Sequence, residues 1–154
     1  MPSLQIPDPS SFDTLPAPLA QLWSGFGSWD TVYFPSFVGL RLEEARVDYA
    51  RMRLPFRPEL QQPAGVVHGG ALATLSDTVV VPAVGSAYPA VPVMLTLSMN
   101  VQYLGAVRSE DTIAHGWVVR RGKRVVFCEV AAVTASGEPV ATGSLVYSVR
   151  PPRE

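Results

Sequence analysis

The sequence predicts an α+β domain in which one long central helix is wrapped by a curved antiparallel sheet, with a short helix ahead of them. Three observations carry that expectation. Leu72, Leu75, Val79 and Ala83 form a single helical stripe. Everything after residue 92 alternates like strand, most cleanly from Val93 to Tyr103, and tight-turn signals at Arg121-Gly122-Lys123 and Ala135-Ser136-Gly137-Glu138 divide it into a meander. A helix with so apolar a stripe needs a sheet to cover it.

The elements follow in chain order. The first 14 residues hold Pro2, Pro7 and Pro9 among serines and aspartates, which favours an extended arm. Leu15, Leu19, Leu22, Trp23 and Phe26 then recur at helical spacing, with Pro16 and Pro18 in the first turn and Gly25 as a stop. From Val38 to Phe56 two strands are expected with a break near Glu43 and Glu44, and Ala50, Met52 and Leu54 face the core. The long helix opens at Gly69 or Gly70 and ends near Pro82 and Gly85. In the strand after it, Val93, Leu95, Leu97, Met99, Val101 and Tyr103 are assigned to a core face, and Met94, Thr96, Ser98, Asn100 and Gln102 to a polar one. Further strands are placed near Thr112 to Arg120, Arg124 to Thr134 and Pro139 to Val149. The resulting organisation is an arm with its short helix over residues 1–36, one domain over 37–150 and a tail over 151–154.

The bulk composition narrows the function classes. A chain of 154 residues that is 47% hydrophobic and only 16% charged suggests surface covered by further subunits. Twelve basic and thirteen acidic residues leave a net charge of −1, so no field draws nucleic acid or an anionic membrane. No Lys or Arg precedes Arg41, and no apolar run approaches the roughly 20 residues of a bilayer span. A cytoplasmic location is expected. Cys128 stands alone in an apolar run and reads as a buried thiol. Neither His68 nor His115 has a second ligand at metal spacing, and there is no G-x-S-x-G elbow and no G-x-G-x-x-G. No metal or nucleotide cofactor is implied.

Chemistry concentrates between Gln62 and Asp77. Gly65, Gly69 and Gly70 cluster at the helix entrance, where unpaired first-turn N–H groups point outward with partial positive charge and can hold a carbonyl oxygen or oxyanion. Asp77 lies two turns further on, where a carboxylate is unfavourable unless it is exposed or partnered. Eight residues at 1.5 Å rise separate it from Gly69 by roughly 12 Å, too far for one carbonyl to touch both. If the two cooperate, they come from different chains across a two-fold interface, which predicts a dimer with two equivalent sites.

The run G-V-V-H-G-G-A-L-A-T-L-S-D, Gly65 to Asp77, resembles the motif G-x-x-H-G-G-x-x-x-x-L-x-D of phenylacetate-pathway-type (PaaI-like) hotdog acyl-CoA thioesterases. The likeness extends more loosely through L-T-L-S-M-N-V-Q-Y-L, R-R-G-K-R-V and S-G-E-P-V-A-T-G-S, covering about Leu40 to Val149. It implies a hotdog fold and hydrolysis of an acyl-CoA to a carboxylic acid and free CoA. In such enzymes the N–H matching Gly69 polarises the thioester carbonyl, and the carboxylate matching Asp77 acts from the facing subunit as nucleophile or general base. Gln62 stands where the family usually has Asn; it either delivers the same amide or is a polar loop residue. His68 matches the histidine near the leaving thiolate, with a helix-entry histidine bonded to backbone as the plainer reading. Thr96 matches a water-positioning hydroxyl, or is an ordinary outward threonine. Gly70 and Tyr103 would line the ligand. Arg120, Gly122, Lys123 and Arg124 at a strand turn would hold the nucleotide end of CoA, or form a solvated hairpin. A homodimer at minimum, and a homotetramer by family likeness, is expected. Two rival readings remain: a non-catalytic acyl-CoA-binding hotdog domain, and a hotdog dehydratase or hydratase.

Overall fold

A computed structural model of the chain describes residues 4–151. Pro2 and the tail beyond residue 151 lie outside them. The elements are α1 (Ala17–Ser24), α2 (Phe34–Val38), β1 (Arg41–Arg46), β2 (Tyr49–Leu54), α3 (Gly69–Gly85), β3 (Val93–Tyr103), β4 (Thr112–Arg121), β5 (Val125–Thr134) and β6 (Pro139–Arg150). The six strands form one sheet in the order β1-β2-β4-β5-β6-β3, every neighbouring pair antiparallel. This is the hotdog architecture, with α3 as the filling, and α1 is the short N-terminal helix.

Helix α3 is held by burial more than by propensity. Its run Thr78-Val79-Val80-Val81 is β-branched and helix-poor, yet Leu72, Leu75, Val79, Val80, Ala83 and Val84 are all buried. Each of the buried leucines and valines contributes roughly 1.5–3 kcal/mol when removed from water. Gly116 of β4 permits the close approach, because a Cβ there would lie 2.9 Å from a methyl of Val79 and another of Val80. Pro82 falls in the last turn, and the Ser86 N–H bonds to the Pro82 carbonyl at 2.9 Å to close the helix.

Four expectations need correction. The stretch before β1 holds the short helix α2, stopped by Gly39 in the left-handed region at φ 91°, so Val38 is helical and not the start of a strand. The hairpin turn sits at Val47 and Asp48, the latter at φ 64°, while Glu43 lies at a register shift within β1. The apolar residues of β3 are mostly not core: Val93, Leu95, Leu97, Met99 and Tyr103 are exposed and Val101 alone of the six packs against the core, on a strand that is an edge of the sheet among the described residues. Nor is its alternation continuous. A bulge between Thr96 and Ser98 shifts the register against β6, so Thr96 pairs with Tyr147 while Met99 pairs with Leu145 and Tyr103 with Ala141. Paired residues share a face, and Tyr147, Leu145 and Ala141 are buried core. The extra residue therefore puts Thr96, Met99 and Tyr103 together on the helix-facing side, which strict alternation forbids.

The arm is docked rather than free over its described part. Phe12 stacks on Tyr49 with ring centroids 5.0 Å apart, and Val47 N–H bonds to the Asp13 carbonyl at 3.0 Å. Helix α1 is pinned by Trp23, 4% exposed, against Gly85 at the end of α3. Among the described residues no helix is long and apolar enough to cross a membrane.

Candidate active site

At the entrance of α3, His68 is the N-cap. Its Nδ1 accepts the Gly70 N–H at 2.8 Å, which leaves the ring proton on Nε2, facing away from the helix. With Gly70 so occupied, the Gly69 N–H has no acceptor among the described residues. The Gly69 carbonyl accepts the Tyr103 hydroxyl at 2.7 Å. Beside this turn opens a cavity of about 380 Å³ lined by Gln62, Val67, Gly69, Leu72 and Tyr103 among others. Gln62 uses its side-chain oxygen to accept the Ala64 N–H at 2.8 Å, so the side chain shapes its own loop while its NH₂ has no partner among the described residues.

The second cluster lies two turns along. Asp77 is half-buried, and its Oδ1 accepts hydrogen bonds from Thr96 Oγ1 at 2.8 Å and from the Tyr147 hydroxyl at 2.5 Å. Tyr147 also reaches the Asp77 carbonyl oxygen at 2.6 Å. Burial, reinforced by the Asp77 charge, pushes the Tyr147 phenol far above its ordinary range, so it remains a donor. Tyr147 was not singled out from the sequence. The available signal was its alternation with Leu145 and Val149 on β6, since a tyrosine on a core face needs a partner for its hydroxyl.

The structure thus gathers the predicted residues into two groups, Gln62, His68, Gly69, Gly70 and Tyr103 in one, Asp77 and Thr96 in the other. Within one chain they stay apart, by the helical rise of roughly 12 Å between Gly69 and Asp77. The basic turn stands at the level of the second group. Thr96, Tyr147, Val126 and Arg121 are successive partners across β3, β6, β5 and β4, a span of three strand spacings, about 14 Å. Arg120, Gly122, Lys123 and Arg124 are exposed there. Arg121 is committed elsewhere, paired with Asp48 at 2.5 Å and lying over the Tyr88 ring at 5.6 Å.

The arrangement of a bare helix-entrance N–H and a carboxylate held by two hydroxyls suits acyl transfer, and the relatives agree. The profile of the Thioesterase superfamily matches residues 64–141, from the helix entrance to β6. The chain belongs to that superfamily. A candidate esterase of Halobacterium salinarum is 41% identical over 120 residues, covering 70% of this chain and 78% of its own. Among solved structures, the PaaI protein of the Escherichia coli phenylacetic acid degradation operon superposes with a TM-score of 0.79 at 16% identity, covering 89% of this chain and 96% of that one. A thioesterase of Haemophilus influenzae gives a TM-score of 0.78 at 21% identity, with coverages of 85% and 92%. The two structures share the fold, and the superfamily membership identifies this thioesterase-fold chain as a hydrolase of esters or thioesters.

Proposed function

We propose that the protein hydrolyses acyl-CoA thioesters at two equivalent sites of a homodimer. The observation that carries the reading is the division of the site residues into two groups, one at the entrance of α3 and one two turns along it, each incomplete alone. The Gly69 N–H stabilises the oxygen of the thioester carbonyl. Asp77, from the other chain, either attacks the carbonyl carbon or takes a proton from an attacking water. In the first route Asp77 displaces the thiolate, breaking the C–S bond and leaving a mixed anhydride that water then hydrolyses back to Asp77 and the carboxylate product. In the second, water itself adds to the carbonyl carbon and the C–S bond breaks; in both the thiolate leaves and is protonated. His68, with its Nε2–H directed outward, suits the leaving sulfur.

Edge strand β3 supports the dimer. Its outer backbone groups have no neighbouring strand among the described residues, and its exposed apolar side chains call for cover. If two β3 strands pair antiparallel about a two-fold axis between Met99 and Asn100, Thr96 of one chain falls opposite Tyr103 of the other. Thr96 holds Asp77 and Tyr103 holds Gly69, so the same pairing brings carboxylate and N–H together. Pairing of two such dimers into a tetramer accords with the apolar composition. Arg120, Lys123 and Arg124, unpaired among the described residues, suit the phosphates of CoA.

A released-thiol assay with phenylacetyl-CoA, benzoyl-CoA and octanoyl-CoA tests the reading. Turnover of at least one ester by wild type, and its loss in Asp77→Ala, is the expected result; saturable binding of all three without turnover selects a non-catalytic acyl-CoA-binding protein instead.

A further inference from the structure

The two oxygens of the Asp77 carboxylate are treated differently by the fold. Oδ1 receives both Thr96 and Tyr147, while Oδ2 has no partner among the described residues. Thr96 and Tyr147 are direct partners across β3 and β6, so the two hydroxyls stand side by side on the inner face of the sheet. The bulge after Thr96 makes that possible.

Tyr147 adds a constraint that Thr96 alone lacks. Its hydroxyl lies within hydrogen-bonding distance of both the side-chain and the main-chain oxygen of Asp77. Rotating the carboxylate about χ1 would break the contact to Oδ1 while the ring stays anchored by the helix carbonyl. The ring is 2% exposed in the core that contains Val126, Cys128 and Leu145. Phenylalanine would fill the same space without burying a hydroxyl, which costs free energy unless it is bonded. Among the described residues the two oxygens to which this hydroxyl donates both belong to Asp77.

We infer that Tyr147 is a positioning residue: with Thr96 it clamps Oδ1 of Asp77 and leaves Oδ2 as the oxygen that meets the thioester carbonyl or the attacking water. The inference rests on the hydrolase site proposed above. It assigns the reacting atom in either role of Asp77, because a clamped Oδ1 spends its lone pairs on two donors and Oδ2 keeps its own.

Tyr147→Phe keeps the ring and removes the clamp. Its kcat falls roughly 10- to 100-fold, the equivalent of one hydrogen bond to a charged group, while KM stays within about threefold. In an Asp77→Ala background the same substitution changes the residual rate no further, because a clamp with nothing to hold has no effect. A wild-type kcat in Tyr147→Phe overturns the inference, as does an equal fractional loss in the Asp77→Ala background. A readout without turnover separates this from the function itself. The wild-type protein shows a downfield, slowly exchanging hydroxyl proton by NMR that vanishes in Tyr147→Phe and moves upfield in Asp77→Ala, where only the main-chain carbonyl is left to accept it. Its absence in wild type overturns the clamp; its presence in a protein that hydrolyses none of the three esters overturns the thioesterase reading alone.

Discussion

The Tyr103 hydroxyl donates to the Gly69 carbonyl at 2.7 Å, tying edge strand β3 to the first turn of α3. A Cβ on Gly69 would meet the Tyr103 ring carbon Cζ at 3.3 Å, so this ring also fixes how closely a ligand passes the Gly69 N–H. Tyr103→Phe removes the tie and keeps the wall. We expect kcat/KM to fall about three- to tenfold, the effect of one neutral hydrogen bond, with unfolding free energy changed by about 1 kcal/mol or less. Steady-state kinetics and urea unfolding check both halves; a stability loss with unchanged kinetics would make the tie purely structural.

The exposed turn between β4 and β5 makes a different prediction. Replacing Arg120, Lys123 and Arg124 together by Ala should raise KM for a CoA ester roughly tenfold, since each solvent-exposed contact is worth a few tenths to 1 kcal/mol. The matching pantetheine ester lacks the nucleotide phosphates and should be hydrolysed as well as by wild type. An equal loss on both esters would place the turn away from the nucleotide.

Gly85 couples the N-terminal helix to the core. A Cβ there would fall 2.2 Å from Cζ2 and 2.8 Å from Cη2 of the Trp23 indole, which is buried and cannot swing aside. Gly85→Ala should cost about 1–3 kcal/mol by overpacking. The loss should shrink when Trp23 is also replaced by Leu, because the two side chains contend for one space. Chemical denaturation of the four proteins measures the coupling.

His115 sets a pH window for stability. It is a partly buried ring whose Nδ1 is hydrogen-bonded to the Tyr49 hydroxyl at 2.8 Å, and the Tyr49 phenol is pushed up to about 12, chiefly by burial. Burial, then the positive charge of Arg51, holds His115 below the ordinary value of 6.5, with Glu43 and Glu44 acting in the opposite sense. Between the folded and unfolded values the unfolded chain binds more protons, so this contribution is complete above 6.5 and is lost as pH falls beneath it. The carboxylates titrate lower. At Glu43 burial opposes ionisation but the Arg53 and Arg51 guanidiniums outweigh it, and Asp111 is lowered first by the Phe56 N–H. Their contribution is present above their ordinary values of 4.5 and 3.8 and disappears below them. Melting temperature should therefore fall in two stages on acidification, and His115→Gln should flatten the first stage only.

Legibility in the sequence followed the range of the interactions. The α3 stripe and the glycine-rich entrance are local, and Leu72, Leu75, Val79 and Ala83 lie in the core as their spacing predicts. Edge position is not local. Nothing within Val93 to Tyr103 tells that no strand lies beyond it, so an apolar face reads as core when it is bare. The bulge at Leu97 was equally hidden, since one unpaired residue leaves the apolar alternation intact and moves Thr96 to the other side of the sheet. Tyr147 escaped for a third reason. Its partner is 70 positions away, and only folding shows that the two meet.

The division of the site between chains can be tested by mixing two inactive variants. Asp77→Ala removes the carboxylate. Gly69→Pro removes the N–H with little harm to the helix, because proline suits the first helical position and His68, at φ −62° and ψ 135°, already has the backbone that precedes a proline. Each variant alone should be inactive. When the two are unfolded together and refolded, half of the dimers are mixed, and each mixed dimer holds one site with both lesions and one with none, so about a quarter of wild-type activity should return. A site built within a single chain predicts no recovery, since every chain then carries a lesion of its own.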